Sequence, residues 1–260
     1  MRTYVVTGSA SGIGLATKNM LERAGCRVIG VDREESEVTA DLSTPGGRQA
    51  AAEKCVEISG GVIDAVIANA GSALPNALTV SINYFGVTEF LESLLPALAK
   101  SDAPRAVVTS SMASLMPNDS ELVDAMLSDN EEAAVARAEE LVTQGGGLEQ
   151  LIYGSTKRAI SRWVRRECVT DSWAGAGIPL NSVGPGIVKT PMVADMISTE
   201  EARAGLDQMV PMPLNHYMEP ESVASLLVWL TSPENTHVTG QTVYIDGGSD
   251  AVLRGDNVWD

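Results

Sequence analysis

Six short runs rich in β-branched and apolar residues recur along the chain: Tyr4 to Thr7, Arg27 to Val31, Asp64 to Ala68, Ala106 to Thr109, Leu180 to Val183 and Thr242 to Ile245. Between them lie longer stretches with helical patterning. Each run is apolar on both faces instead of alternating, which is the pattern of parallel strands covered by helices above and below. The chain therefore predicts an α/β fold, one doubly wound parallel sheet with helices on both faces, spanning residues 1–260 as a single domain. Ile13 to Ala24 reads as the first crossover helix, with Gly25 just past its end, where a left-handed cap is needed.

Two segments interrupt the alternation. Residues 117–147 are strongly acidic, with helix-favouring Glu131 to Val142 followed by Gly145-Gly146-Gly147, and predict an inserted helical excursion with a flexible return. Residues 191–214 carry Met192, Met196, Met209 and Met212 between prolines and small residues. Flexible, polarizable methionines suit an adaptable apolar wall, although methionines at helical spacing are more often plain core.

Composition narrows the function. The 44% hydrophobic content supports a substantial core, while 34 acidic against 18 basic side chains give a formal charge of −16. Such a charge opposes nucleic acid and anionic membranes as partners and favours uncharged small molecules. Cys26, Cys55 and Cys168 show no CxxC pairing, and His216 and His237 share no ligand spacing, so neither a disulfide framework nor a metal site is expected. The opening strand runs directly into a glycine-rich turn and no later segment is long enough to span a bilayer, so the expected location is cytoplasmic.

That turn, Gly8-Ser9-Ala10-Ser11-Gly12-Ile13-Gly14, follows the first strand and opens the first helix. Glycines there permit a tight bend and let main-chain N–H groups approach a pyrophosphate at the positive end of the helix dipole. The spacing is GxxxGxG, not the commoner GxGxxG, and a ligand-free structural turn is the alternative. Asp32 ends the second strand, 18 residues after Gly14, close to the separation of about 20 at which an acid accepts hydrogen bonds from an adenosine ribose. A carboxylate there repels a 2′-phosphate, and Ser9 brings no compensating charge, so NAD is favoured over NADP. Neighbouring Arg33 is the one residue that argues otherwise.

Tyr153 and Lys157 are spaced i,i+4 in Tyr153-Gly154-Ser155-Thr156-Lys157, a segment that continues as an amphipathic helix. On one helix face, the ammonium would favour the ionised phenol and bring it toward neutral pH. Alone, the pair reads as an ordinary surface contact.

Taken together, Thr7-Gly8-Ser9-Ala10-Ser11-Gly12-Ile13-Gly14, Asp41-Leu42, Asn69-Ala70-Gly71, Asn83, Ser110-Ser111, Tyr153 with Lys157, Pro185-Gly186 and Asp246-Gly247-Gly248 resemble, in order, the short-chain dehydrogenase/reductase family. The long excursion before Tyr153 and the phrase Ser81-Ile82-Asn83-Tyr84-Phe85-Gly86 look most like its bacterial 3α-hydroxysteroid dehydrogenase/carbonyl reductase subgroup. The resemblance implies a Rossmann-like domain and an NAD-dependent alcohol dehydrogenase/ketone reductase. Tyr153 would be the general acid/base, Lys157 would lower its pKa and hold the nicotinamide ribose, and Ser111 would hydrogen-bond the substrate oxygen. Asn83 would hold a water of a proton relay. Asp41 and Leu42 would flank the adenine, Asn69, Ala70 and Gly71 would lie beside the adenosine and brace the sheet, and Pro185, Gly186, Ile187 and Thr190 would hold the nicotinamide end. Gly184 departs from the alanine or asparagine more usual before Pro185, an exchange expected to loosen that wall.

Ser111 and Tyr153 stand 42 positions apart, farther than in ordinary members, because of the excursion. The expectation is that this insertion packs beside the Tyr153 helix and blocks a helix-pair association by which many relatives form tetramers; a merely solvated excursion is the alternative. A homo-oligomer, dimer or tetramer, is expected. Residues 191–214 match the family's substrate lid, so the substrate is expected to be a hydrophobic secondary alcohol or ketone, 3α-hydroxysteroids first. An aromatic or allylic primary alcohol of the coniferyl type, or a non-catalytic dinucleotide sensor, are the competing functions.

Overall fold

The computed structural model describes residues 1–214 and 216–258. β1 (Thr3–Thr7), α1 (Gly12–Arg23), β2 (Arg27–Asp32), a two-residue β3 (Val38–Thr39), α2 (Pro45–Ser59) and β4 (Ala65–Ala68) form the first half. α3 (Leu78–Val80) runs through a π-helical turn at Ser81–Phe85 into α4 (Gly86–Leu98), followed by β5 (Arg105–Thr109). α5 (Ser120–Leu127) and α6 (Glu131–Gln144) precede α7 (Leu151–Glu167) and β6 (Leu180–Pro185). α8 (Glu200–Met209), α9 (Pro220–Leu230), β7 (Thr242–Ile245) and α10 (Ser249–Arg254) complete the chain.

The seven strands form one parallel sheet in the order β3-β2-β1-β4-β5-β6-β7. Successive strand residues feed different cores, which explains the lack of alternation in the sequence. Val5 of β1 packs with Ile29, Val66 and Ala106 against α2, α4 and α7. Its neighbours Tyr4 and Val6 face Leu21 of α1 and Leu227 and Leu230 of α9 on the opposite side. The strand order reverses between β1 and β4, and ligand crevices in such sheets open at that point beyond the strands' carboxyl ends.

The predicted strands are present, with β6 running on to Pro185. β3 was not anticipated: its two residues pair with Val31 and Asp32 and are too short to carry a period. α1 ends as expected, with Gly25 at φ +79°. Among the described residues no helix is long and apolar enough to cross a membrane.

The acidic excursion is a packed pair of helices, not a solvated strand of charge. Asp119 caps α5 by accepting from Leu122 N at 2.7 Å, and Asn130 caps α6 by accepting from Ala133 N at 3.0 Å. Leu122, Val123, Met126, Ala134, Ala138 and Leu141 are buried and join the core beneath α7. Arg137 reaches back from α6 to hold Asp119 with two bonds of 3.1 and 2.8 Å.

Candidate active site

The cleft begins at the glycine turn. A Cβ on Gly14 would fall 2.0 Å from the Gly8 carbonyl oxygen, so only glycine lets the turn fold this tightly against the start of α1. Ser11 precedes α1 in extended conformation and, with Gly8, Gly12 and Ile13, lines the cleft. Thr7 lies underneath: its Oγ1 accepts from Asn69 N at 3.0 Å and Ala70 N at 2.9 Å. Asn69 Oδ1 in turn accepts from Thr109 Oγ1 at 3.0 Å, so the Asn69-Ala70-Gly71 loop is tied to both β1 and β5.

On the β2 side, Asp32 is fixed by two main-chain donors, Ala10 N at 2.9 Å and Arg33 N at 2.7 Å. Asp32, Arg33, Asp41 and Leu42 line one half of the cleft. The Asp41 carboxyl is held below the usual carboxylate range by the Ser43 hydroxyl and N–H. Ser9 spends its hydroxyl on Ser36, 2.8 Å away. The other half contains Ser111, Tyr153, Lys157, Pro185, Gly186 and Thr190, and Met192 borders both halves.

α7 places Tyr153 and Lys157 one turn apart, with the Lys157 ammonium 5.7 Å from the Tyr153 ring centre. Lys157 Nζ donates to the Thr109 carbonyl at 2.9 Å. Ser111 follows β5, where its Oγ accepts from Ala113 N at 3.1 Å and caps the short turn Met112–Leu115. Burial raises the Tyr153 phenol above its ordinary range, and the facing Ser111 hydroxyl opposes that rise. Burial also lowers the Lys157 ammonium, to about 8. The directions are set by enclosure, which disfavours the charged form of both groups, and not by the i,i+4 spacing of Tyr153 and Lys157.

Asn83 occupies the π-helical turn, a place where one extra residue turns a side chain inward. Its Oδ1 accepts from Ser72 N at 2.8 Å, and its Nδ2 donates to Ser72 O at 2.9 Å and Thr156 Oγ1 at 3.1 Å. Both ends of the amide are thus engaged by the chain, and Asn83 braces the loop after β4 against α7.

Ile187 does not line the cleft: its side chain is buried with Met112 and Val210, its N–H points at Met212 Sδ, 3.4 Å away, and the adjacent Val188 borders the cleft. Gly184 departs from expectation, since the wall is not loosened: the Tyr244 ring fills the space a side chain would take. Sequence reasoning also missed Ser72 and Ser110 as cleft residues. Ser110 was legible as the neighbour of Ser111; Ser72 had no signal beyond its place after Gly71.

The lid segment forms two short turns, Pro191–Val193 and Asp195–Ile197, and then α8, none of whose residues is buried. Met192 and Met196 are about half exposed, at 48% and 49%, and lean over the cleft. Among the described residues there is no cluster able to hold a metal ion.

Comparison with known proteins agrees with this arrangement. The family model described as enoyl-(acyl carrier protein) reductase matches residues 8–250. The chain is 38% identical over 260 residues to the 3α-hydroxysteroid dehydrogenase/carbonyl reductase of Comamonas testosteroni, covering 98% of each. It is 28% identical to a tropinone reductase homolog of Arabidopsis thaliana, covering 95% of this chain and 91% of the relative. The crystal structure of the 3α-hydroxysteroid dehydrogenase from Pseudomonas sp. B-0831, complexed with NADH, superposes with a TM-score of 0.86 at 39% identity, covering 98% of this chain and 99% of the other. A glycine turn against α1, a tyrosine and lysine one helical turn apart, a serine across the cleft and these similarities converge: the chain belongs to the short-chain dehydrogenase/reductase family and is an oxidoreductase related to the 3α-hydroxysteroid dehydrogenases.

Proposed function

We propose that the protein is an NAD-dependent dehydrogenase that interconverts a secondary alcohol and a ketone on a hydrophobic substrate, with 3α-hydroxysteroids as the first candidates. The observation that carries this reading is one continuous cleft, running from Asp32 past the Gly8–Gly14 turn to Ser111, Tyr153 and Lys157. The bare glycine surface fits a pyrophosphate, and an anchored carboxylate at Asp32 fits an unphosphorylated ribose. The 39% identical NADH-bound structure supports the same cofactor.

Bound NAD supplies the hydride acceptor and, when oxidised, a positive charge that favours the ionised phenol. The chain's own groups do the rest. In oxidation, Tyr153 Oη takes the hydroxyl proton of the alcohol as the hydride leaves its carbon; in reduction it returns that proton to the oxygen. Ser111 Oγ donates to the same oxygen and stabilises the charge that develops on it. Lys157 orients the nicotinamide ribose and favours the phenolate, and Asn83 keeps α7 in register with the loop beneath the cofactor. Met192 and Met196 supply an apolar cover for the substrate and exclude water.

The test is a panel of alcohols followed by NADH absorbance. Androsterone-like alcohols turned over well ahead of cinnamyl-type alcohols support the proposal. The reverse order moves the function to allylic primary alcohols, and equal turnover of steroids and small polar alcohols removes the selective apolar pocket.

A further inference from the structure

Gly184 and Tyr244 are directly paired across β6 and β7. A Cβ placed on Gly184 would stand 2.5 Å from Tyr244 Cδ1 and 2.7 Å from Cε1, well inside contact distance, and 3.5 Å from the Ser111 carbonyl carbon. The aromatic ring therefore occupies the volume in which any other residue at position 184 would keep its side chain, and that volume abuts the main chain of Ser111. At its far end, Tyr244 Oη meets Ser114 Oγ at 2.9 Å. Ser114 is buried and lies in the turn that Ser111 opens, its N–H donating to the Ser111 carbonyl at 3.1 Å. The Ser114 carbonyl accepts from Arg158 Nε, on α7 immediately after Lys157.

We propose that Tyr244 is a positioning residue for Ser111: its ring, admitted by Gly184, backs the Ser111 main chain, and its hydroxyl pins the turn whose first residue is Ser111. Ser110 anchors the chain before Ser111 to β6, its N–H donating to the Val183 carbonyl at 2.8 Å, whereas the Ser111 Oγ caps the turn that follows and so depends on where that turn sits. Ser114 fastens the turn to β7 through its hydroxyl and to α7 through its carbonyl. The strand at the sheet's edge and the helix carrying Tyr153 and Lys157 are thereby locked to the serine between them. Holding a hydrogen-bond donor to within a fraction of an ångström of a developing oxyanion is what makes it effective, so slack in the turn is read in the rate, not in cofactor binding.

The inference rests on the proposed role of Ser111 at the substrate oxygen, and a double-mutant cycle separates the two. Tyr244→Phe and Ser114→Ala each delete one side of the same hydrogen bond without emptying the ring's volume, so either variant carries the test if the other fails to fold. Each is expected to lower kcat for alcohol oxidation about tenfold while leaving the NAD dissociation constant within about twofold, and the pair together is expected to lower it no further. In a Ser111→Ala background, Tyr244→Phe is expected to have almost no additional effect. Full activity in Ser111→Ala would overturn the role of Ser111 and the inference with it. An impaired Ser111→Ala, combined with an unchanged Tyr244→Phe or with strictly multiplying effects, would overturn the positioning role alone. Exchanging the sizes checks the ring: Gly184→Ala should cripple turnover and Gly184→Ala/Tyr244→Val should recover part of it, whereas a harmless Gly184→Ala would contradict the packing described.

Discussion

Arg48 of α2 and Glu131 of α6 lie 83 positions apart and are joined by two charge-assisted hydrogen bonds, of 2.6 and 2.8 Å. Arg48 is 1% exposed and also donates to the carbonyls of Leu42, Ser43 and Ser81 and to Glu89. One buried guanidinium thus ties the inserted helices to the loop bordering the Asp41 side of the cleft and to the π-helical turn of Asn83. Arg48 stays fully charged because these acceptors outweigh the cost of its burial.

Glu131→Gln removes the main counter-charge and leaves a buried cation partly uncompensated. The expected loss of stability is about 3 kcal/mol, at the lower end for a broken buried pair because Glu89 remains, and denaturant unfolding measures it. A loss under about 0.5 kcal/mol would mean that the pair behaves as an exposed surface contact.

α5 and α6 pack against the core beneath α7, and we propose that they cover a helix surface otherwise open to a second copy. Deleting residues 118–145 is expected to raise the mass of the particle seen by light scattering. An unchanged mass in a folded deletion variant would end that idea.

Lys157 illustrates a site residue that costs stability. A buried ammonium whose pKa is about 8 instead of 10.5 is less protonated in the folded chain than in the unfolded one between those values. The penalty is complete below pH 8, at about 3 kcal/mol, and disappears as pH rises through the unfolded value. Lys157→Met is therefore expected to melt higher than the parent at pH 6 to 7 and to lose that advantage near pH 10.5, while losing activity. Equal melting temperatures at neutral pH would contradict the desolvation of Lys157.

Much of this was legible in the sequence, and the misses share a cause. The strand Thr242 to Ile245 and the cap at Gly25 follow from local preference, and the cleft residues Ser111, Tyr153 and Lys157 from motifs in a fixed order. The burial of Leu122, Met126, Ala134, Ala138 and Leu141 was written in their helical spacing, yet the acidic residues around them masked it. The fit of Tyr244 to Gly184 and the reach of Arg48 to Glu131 join groups far apart in the chain, and no local pattern encodes such contacts. The direction of the Tyr153 shift depends on enclosure by several elements at once, which spacing on a single helix does not describe.

Asp32 gives the cofactor prediction. Asp32→Ala is expected to weaken NAD binding about tenfold and to narrow the preference over NADP, because the ribose loses its acceptor and a 2′-phosphate loses its repulsion. Isothermal titration with both cofactors decides it; an unchanged preference would remove Asp32 from the ribose.

The most direct trial of the account is Tyr153→Phe, measured for turnover of a 3α-hydroxysteroid and for NAD affinity on the same preparation. Loss of turnover by at least about a thousandfold with NAD affinity preserved is expected, since the ring stays and only the proton carrier goes. Turnover within about tenfold of the parent would show that the proton moves by another route and would contradict the proposed chemistry.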